Sequence, residues 1–143
     1  MELQTPSSPS ATLSHPLMNS TLDDLGKLIL RVSVAGMLLL HGVFKARNGI
    51  GFVHQQVAES GLPALLAYGV YLGEVVAPIL VIAGFLTRPA ALIMAFDLLM
   101  AVVLARNADV AKLNAGGGWA IELEMMFALC EIAIACLGVG RLA

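Results

Sequence analysis

The stretch ALLAYGVYLGEVVAPILVIAGFL, residues 64–86, carries one formal charge, Glu74, in a run that is otherwise apolar or small. A helix that crosses the hydrocarbon core of a bilayer needs about 20 predominantly apolar residues. The run is too long, and alternates too little, for a strand. A helix that is apolar on every side has no wet face to turn outward. Three further stretches repeat the pattern: residues 28–44 with Arg31 and His41, residues 89–105 with Asp97, and residues 119–138 with Glu122, Glu124 and Glu131.

Composition points the same way. Hydrophobic residues make up 59% of the 143 and charged residues 13%, where a soluble domain carries about 25% charged residues. So few charges leave lipid to cover part of the surface. A soluble all-α protein would need a polar face that none of the four stretches offers. A net charge of −2 without a basic run gives nucleic-acid binding no footing. The expected fold is an all-α membrane protein: a four-transmembrane-helix bundle, with spans near residues 27–45, 64–86, 89–106 and 119–139. The domain extends over residues 21–143, and the bilayer is its first partner.

The connections refine this plan. Residues 1–20 are rich in Ser, Pro and Thr; they lack the features of a secretory signal and are expected to form a disordered tail. Ser20 or Thr21, followed by Asp23 and Asp24, suits a helix N-terminus. Between the first two spans, Phe52, Val53, Val57 and Ala58 interleave with His54, Gln55, Gln56 and Glu59, the pattern of a short amphipathic helix lying on the membrane surface. Thr87, Arg88 and Pro89 make a tight turn, with Pro89 opening the third helix. Trp119, after Gly116–Gly118, opens the fourth and is a candidate interface anchor. Lys27, Arg31, Arg88 and Arg141 fall toward one side, and Lys45, Arg47, Arg106 and Lys112 toward the other, so positive charge assigns no orientation.

Counting along each helix places Glu74, Asp97 and Glu131 near mid-membrane, with His41, Lys45, Glu122 and Glu124 nearer the face that bears the two long loops. A charged side chain at the bilayer centre costs at least about 2.5–3.5 kcal/mol, so such residues turn to the bundle interior. No basic residue falls at the depth of the three deep acids by this count. They are expected to be neutral, or to meet a ligand, an ion or a partner subunit. Pro78 lacks the N–H that would bond the carbonyl of Glu74 four residues back, so a kink is expected there. Either Glu74 works on a proton, headgroup or cation, or it ties neighbouring helices together. Glu122 and Glu124 lie on nearly opposite helix faces, which leaves open which of them faces inward. A metal site from His41, Glu74 and Glu122 has no supporting ligand spacing, and none is expected. Cys130 and Cys136 on one helix are beyond disulfide reach and read as packing residues.

In this order and spacing the chain resembles the DoxX family of small bacterial membrane proteins. His41-Gly42-Val43-Phe44-Lys45 is similar to the family's HG-x-x-K element. Gly61-Leu62-Pro63 follows, then Glu74, then Gly84-Phe85-Leu86-Thr87-Arg88 as a G-x-x-T-R turn. Gly116–Gly118 with Glu122 resembles a GG-x-E element, and Gly138-Val139-Gly140-Arg141 a GPGR element with valine in place of proline. The resemblance covers about residues 25–141. Asp97 and Glu131 are outside the family pattern. The resemblance implies a four-helix protein of the bacterial inner (plasma) membrane, in a family that includes small subunits of quinone-linked oxidoreductases and membrane anchors.

Three functions follow as expectations. The first is a redox-linked subunit that binds quinone near Glu74 and His41, with Lys45 and Glu122 as further ligand or proton-relay candidates. Since the sequence has no haem-ligand pair, cysteine cluster or nucleotide motif, a partner protein would carry the electrons. The second is a non-catalytic anchor or assembly subunit, in which Asp97, Glu124 and Glu131 face another subunit or a second copy of the chain. Pro78, Thr87 and Arg88 are structural in either case. The third is a small transporter or ion-conducting oligomer, for which four short helices leave little room.

Overall fold

A computed structural model describes residues 16–142, with side chains from Ser20 onward. The expected tail, apart from its last few residues, lies outside the described residues. The described chain is helical, with one isolated antiparallel bridge between Leu113 and Trp119. Helix α1 spans Pro16–Asn48, α2 spans Gly51–Glu59, α3 spans Ala64–Ala83, α4 spans Thr87–Ala105 and α5 spans Glu122–Leu137. Three of these, α1 from Ser20, α3 and α4, are long and apolar enough to cross a membrane.

Several boundaries differ from the sequence reading, each for a local reason. Helix α1 begins at Pro16 rather than at Ser20 or Thr21, because proline suits the first helical position. Its two acids have other partners: Lys27 donates to Asp23 across 2.6 Å, and Asp24 accepts from the Arg141 backbone N–H at 3.1 Å. Helix α4 begins at Thr87, before Pro89. The preceding turn fits this start, with Gly84 (φ 76°) and Leu86 (φ 49°) both left-handed. Gly84 ends α3, its N–H meeting the Val81 carbonyl and that of Phe85 the Leu80 carbonyl, a glycine-capped helix end. Helix α5 begins at Glu122, not Trp119. Trp119 stays in the loop, where its indole N–H donates to the Val110 carbonyl at 2.6 Å.

The core is made of small and branched residues from four helices: Ala35 and Leu38 of α1, Ala77 and Val81 of α3, Ala91 and Met94 of α4, and Ile134 of α5. Small residues at these positions let backbones approach closely, as in membrane bundles. The outer faces carry exposed large apolar residues such as Leu40, Leu65, Phe96, Met126 and Leu129, a surface suited to lipid contact. Helix α2 does not stand alone. Its Val57 is buried, and with Ile50 it packs against Ala67 and Val70 of α3, with Leu104 of α4 alongside.

Helix α3 changes geometry along its length. A 3₁₀ turn, Ala64–Tyr68, leads into a short α segment and then a π-helical turn, Leu72–Val76, before regular α-helix resumes at Ala77–Ala83. At the π-turn the Ala77 N–H bonds the Leu72 carbonyl five residues back. This widening lies immediately before Pro78, where the sequence pointed to a kink, and kinks arise at proline and at π-turns alike.

Candidate functional site

The π-turn is gripped from two sides. On one, Gly42 of α1 lies so close to Glu74 that a Cβ there would strike the Glu74 carbonyl and the Val75 side chain. On the other, a Cβ at Gly73 would strike the Asp97 side chain of α4. Two glycines thus allow α1 and α4 to close on the same turn of α3.

Lys45 follows Gly42 by three residues and so shares its helix face. Its Nζ donates to Glu74 Oε1 at 2.5 Å. The Glu74 side chain is only 4% exposed and that of Lys45 30%. Depth counting had placed no basic group level with Glu74. The contact forms because a lysine stem can lie along apolar surface while its ammonium reaches a distant polar group, and because Gly42 draws α1 against the backbone of Glu74. Glu74 Oε2 has no hydrogen-bond partner among the described residues.

Beside this pair opens a cavity of about 360 Å³ between α2, the first half of α3, and α4. Phe52 and Val57 of α2, Leu66 of α3, and Phe96, Met100 and Leu104 of α4 line its apolar wall. Lys45 and Asp97 are the charged residues that reach it, and Gln56 adds a neutral polar group. Phe52, Leu66 and Phe96 are also exposed on the outside of the bundle, so the wall runs on into the lipid-facing surface.

The remaining candidates fall elsewhere. His41 is exposed and its Nδ1 pairs with the Met37 carbonyl at 3.0 Å. It lies one residue off the face shared by Gly42 and Lys45, and the structure does not bring it to Glu74. Glu122 and Glu124 lie in the first turn of α5 and are held by the loop that precedes it. Arg106 donates to Asp109 at 3.1 Å, to Glu124 at 2.8 Å and to the Ala120 carbonyl at 2.7 Å. Asn114 donates to Glu122 at 3.2 Å and its own Oδ1 accepts from the N–H groups of Gly116 and Gly118. A Cβ at Gly118 would strike the Glu122 carboxylate, which accounts for glycine in the GG-x-E element. Lys112, with Arg106, holds Asp109 below the usual carboxylate range. Neither Glu122 nor Glu124 therefore faces the cavity.

Glu131 is fully buried in α5, and neither carboxyl oxygen has a hydrogen-bond partner among the described residues. Asp97 is its electrostatic neighbour. Both acids turn inward, Asp97 against Gly73 of α3 and Glu131 into the core. At the other end of the bundle Arg31 is buried and donates to the Leu142 carbonyl at 2.8 Å. Thr87 is buried too, and the Arg88 guanidinium lies against Gly138. Cys130 and Cys136 are free thiols. Among the described residues no three metal-ligating side chains come together.

The family model for DoxX matches residues 26–107. The chain belongs to the DoxX family. The matched part of this DoxX protein holds Gly42, Lys45, Glu74 and Asp97, and so the charged lining of the cavity; the Glu122 loop, Glu131 and the Gly138–Arg141 element lie beyond it. No curated protein and no solved structure matches the chain. Sequence reasoning passed over Gly42 and Gly73 as site residues. The signal was present, since each glycine is next in sequence to a singled-out residue, Gly42 to His41 and Gly73 to Glu74.

Proposed function

We propose that this DoxX protein is a four-span subunit of the bacterial plasma membrane whose cavity holds the ring of a quinone-type lipid, for electron exchange with a partner redox protein. The observation that carries this reading is the cavity of about 360 Å³ with an apolar wall and Lys45 and Asp97 as its charged lining. A ligand site of this kind is mostly apolar, with a few polar groups to fix orientation. A quinone ring presents carbonyl oxygens to the lysine ammonium while its isoprenoid tail follows Phe52, Leu66 and Phe96 to the lipid. Helix α2 lies at the membrane surface and closes the cavity from the side of the Lys45 loop. Helix α5, 16 residues long, is extended to bilayer thickness by its flanking apolar residues and serves as the fourth span.

Lys45 then has two tasks. It neutralises Glu74, and its remaining N–H groups are free to bond a ligand oxygen. Glu74 and Pro78 shape the π-turn that seats the pair. His41, turned outward, is left out of the binding role. Of the acids offered for partner contact in the anchor reading, Asp97 and Glu131 turn inward and Glu124 is held by Arg106, which favours the cavity reading.

Native mass spectrometry after mild extraction, with and without added short-chain quinone, tests the proposal. Bound quinone in the wild-type protein and its loss in Lys45→Met would support it. Lipid alone, with added quinone excluded even at saturation, would overturn it.

A further inference from the structure

Among the described residues Glu131 has neither counter-ion nor hydrogen-bond donor, although its side chain is fully buried. Helices α4 and α1 pack against α5. From α4 comes Asp97, which acts on Glu131 electrostatically and itself interacts with Glu74 and Lys45. From α1 come Arg31, bound to the Leu142 carbonyl, and Lys45, bound to Glu74. On α5 itself Glu124 is held by Arg106 and Glu122 by Asn114. The segment Ala77–Ala83 of α3 contains no ionisable side chain. Two carboxyl groups therefore neighbour each other in the bundle, and the nearby cation is already engaged by Glu74. Two bare negative charges in hydrocarbon would be expensive, and a proton relieves the arrangement.

We propose that Asp97 and Glu131 form a proton-holding pair, and that its proton selects which oxidation state of the quinone-type ligand the cavity retains. The inference rests on the quinone reading above and deepens it. Asp97 is the member that lines the cavity, and its contact with Gly73 fixes its place. A protonated carboxyl donates an O–H, and an ionised one only accepts. With the proton present, the cavity offers two donors, Lys45 and Asp97, which complement the carbonyl oxygens of the oxidised ring. With the proton gone, Asp97 becomes an acceptor and complements a hydroxyl of the reduced ring. The step moves one proton among Asp97, Glu131 and the aqueous phase, and breaks and makes only carboxyl O–H bonds.

The test uses the full chain in nanodiscs and two readouts. The first is the infrared stretch of a protonated carboxyl, recorded without ligand. The expected result is a band that titrates away as pH rises, and that does so at lower pH in Glu131→Gln. Its absence from the wild-type protein at every pH, or an unchanged titration in that variant, would overturn the pair. The second is the affinity for a short-chain quinone and for its quinol from mildly acid to mildly alkaline pH. Quinone binding should weaken and quinol binding strengthen as pH rises, by up to about tenfold per pH unit for one linked proton. Asp97→Asn keeps an N–H donor but cannot ionise, so quinone binding should persist with the pH slope lost. Glu131→Gln removes the neighbouring acid and should move the slope to lower pH. An unchanged slope in Asp97→Asn would overturn the selection. Failure of both ring forms to bind at every pH would overturn the quinone reading and the selection with it, while the infrared band still reports on the acid pair.

Discussion

The two ends of the bundle bury charge in different ways. At the Lys45 end, buried charge meets side chains of other helices, and some oxygens are left over: Lys45 binds one oxygen of Glu74, the other is unpaired, and Asp97 opens to the cavity. At the Arg31 end the bonds that buried charge makes go to backbone, although Nε and Nη1 of Arg31 have no partner among the described residues. Arg31 donates to the Leu142 carbonyl, and Asp24 accepts the Arg141 N–H. Side-chain pairs can exchange partners, whereas backbone partners are fixed by the fold. The charged groups of the first end reach an apolar cavity between helices, and those of the second tie residues 141 and 142 to α1.

The largest expected effect that would break this contrast comes from Lys45→Ala. Removing one member of a buried pair leaves the other uncompensated and destabilises by about 3–5 kcal/mol, and the part-exposed Lys45 places the loss near the lower figure. Chemical unfolding in mixed micelles would read it. Losing Lys45 together with its acid in Lys45→Met with Glu74→Leu should recover much of that stability while abolishing ligand binding. A loss in the single variant of under about 1 kcal/mol, as for exposed pairs, would remove the distinction between the two ends.

Gly42→Ala comes next. Its methyl would strike the Glu74 carbonyl, and overpacking of this kind costs about 1–3 kcal/mol. Because the strain falls on the π-turn, quinone affinity should drop along with stability. At the Arg31 end, Asp24→Ala removes a charge-assisted bond to the Arg141 N–H, worth about 1.5 kcal/mol. Stability should fall and affinity should not. A change in affinity would mean that the ends communicate.

The smallest effect lies in the loop at the Lys45 end. Asp109 is held below the usual carboxylate range, first by its bond to Lys112 and then by the charges of Lys112 and Arg106. A lowered folded-state value stabilises above the unfolded one and is lost as pH falls through the folded one. Acid should therefore loosen the 106–118 loop only at pH below the usual carboxylate range. Fluorescence of Trp119, the single tryptophan, reads this directly. A transition within the usual carboxylate range would show that the ion pairs do not hold Asp109.

Most of the helical plan was legible, because apolar runs of bilayer length leave few alternatives. The run around Glu74 contains the observed α3, ending three residues past it, and the run around Asp97 begins two residues inside the observed α4. Those shifts come from backbone choices, such as left-handed Leu86, that no periodicity announces. Of the site, Lys45 and Glu74 were both singled out, yet their contact was missed. Depth counting treats each side chain as lying level with its Cα, and a long lysine stem does not. His41 was expected beside Glu74, and its ring instead meets the Met37 carbonyl, because adjacency to Gly42 in sequence means a different helix face. The inward turn of Asp97 depends on Gly73 lacking a side chain, and a glycine's role is visible only once its neighbours are placed.

The π-turn at Leu72–Val76 sets the phase of α3. It spends one more residue on a turn than an α-helix would, and each residue of an α-helix rotates it by about 100°. Deleting a single residue there would leave an unbroken helix, still apolar and still long enough to span. Yet the half that packs on α2 would swing by a quarter-turn or more against the half that packs on α1 and α4. Either Val70 would leave the α2 contact, or Glu74 would leave Lys45. In this helix the extra residue is what must be inherited, and its loss would be invisible to hydropathy.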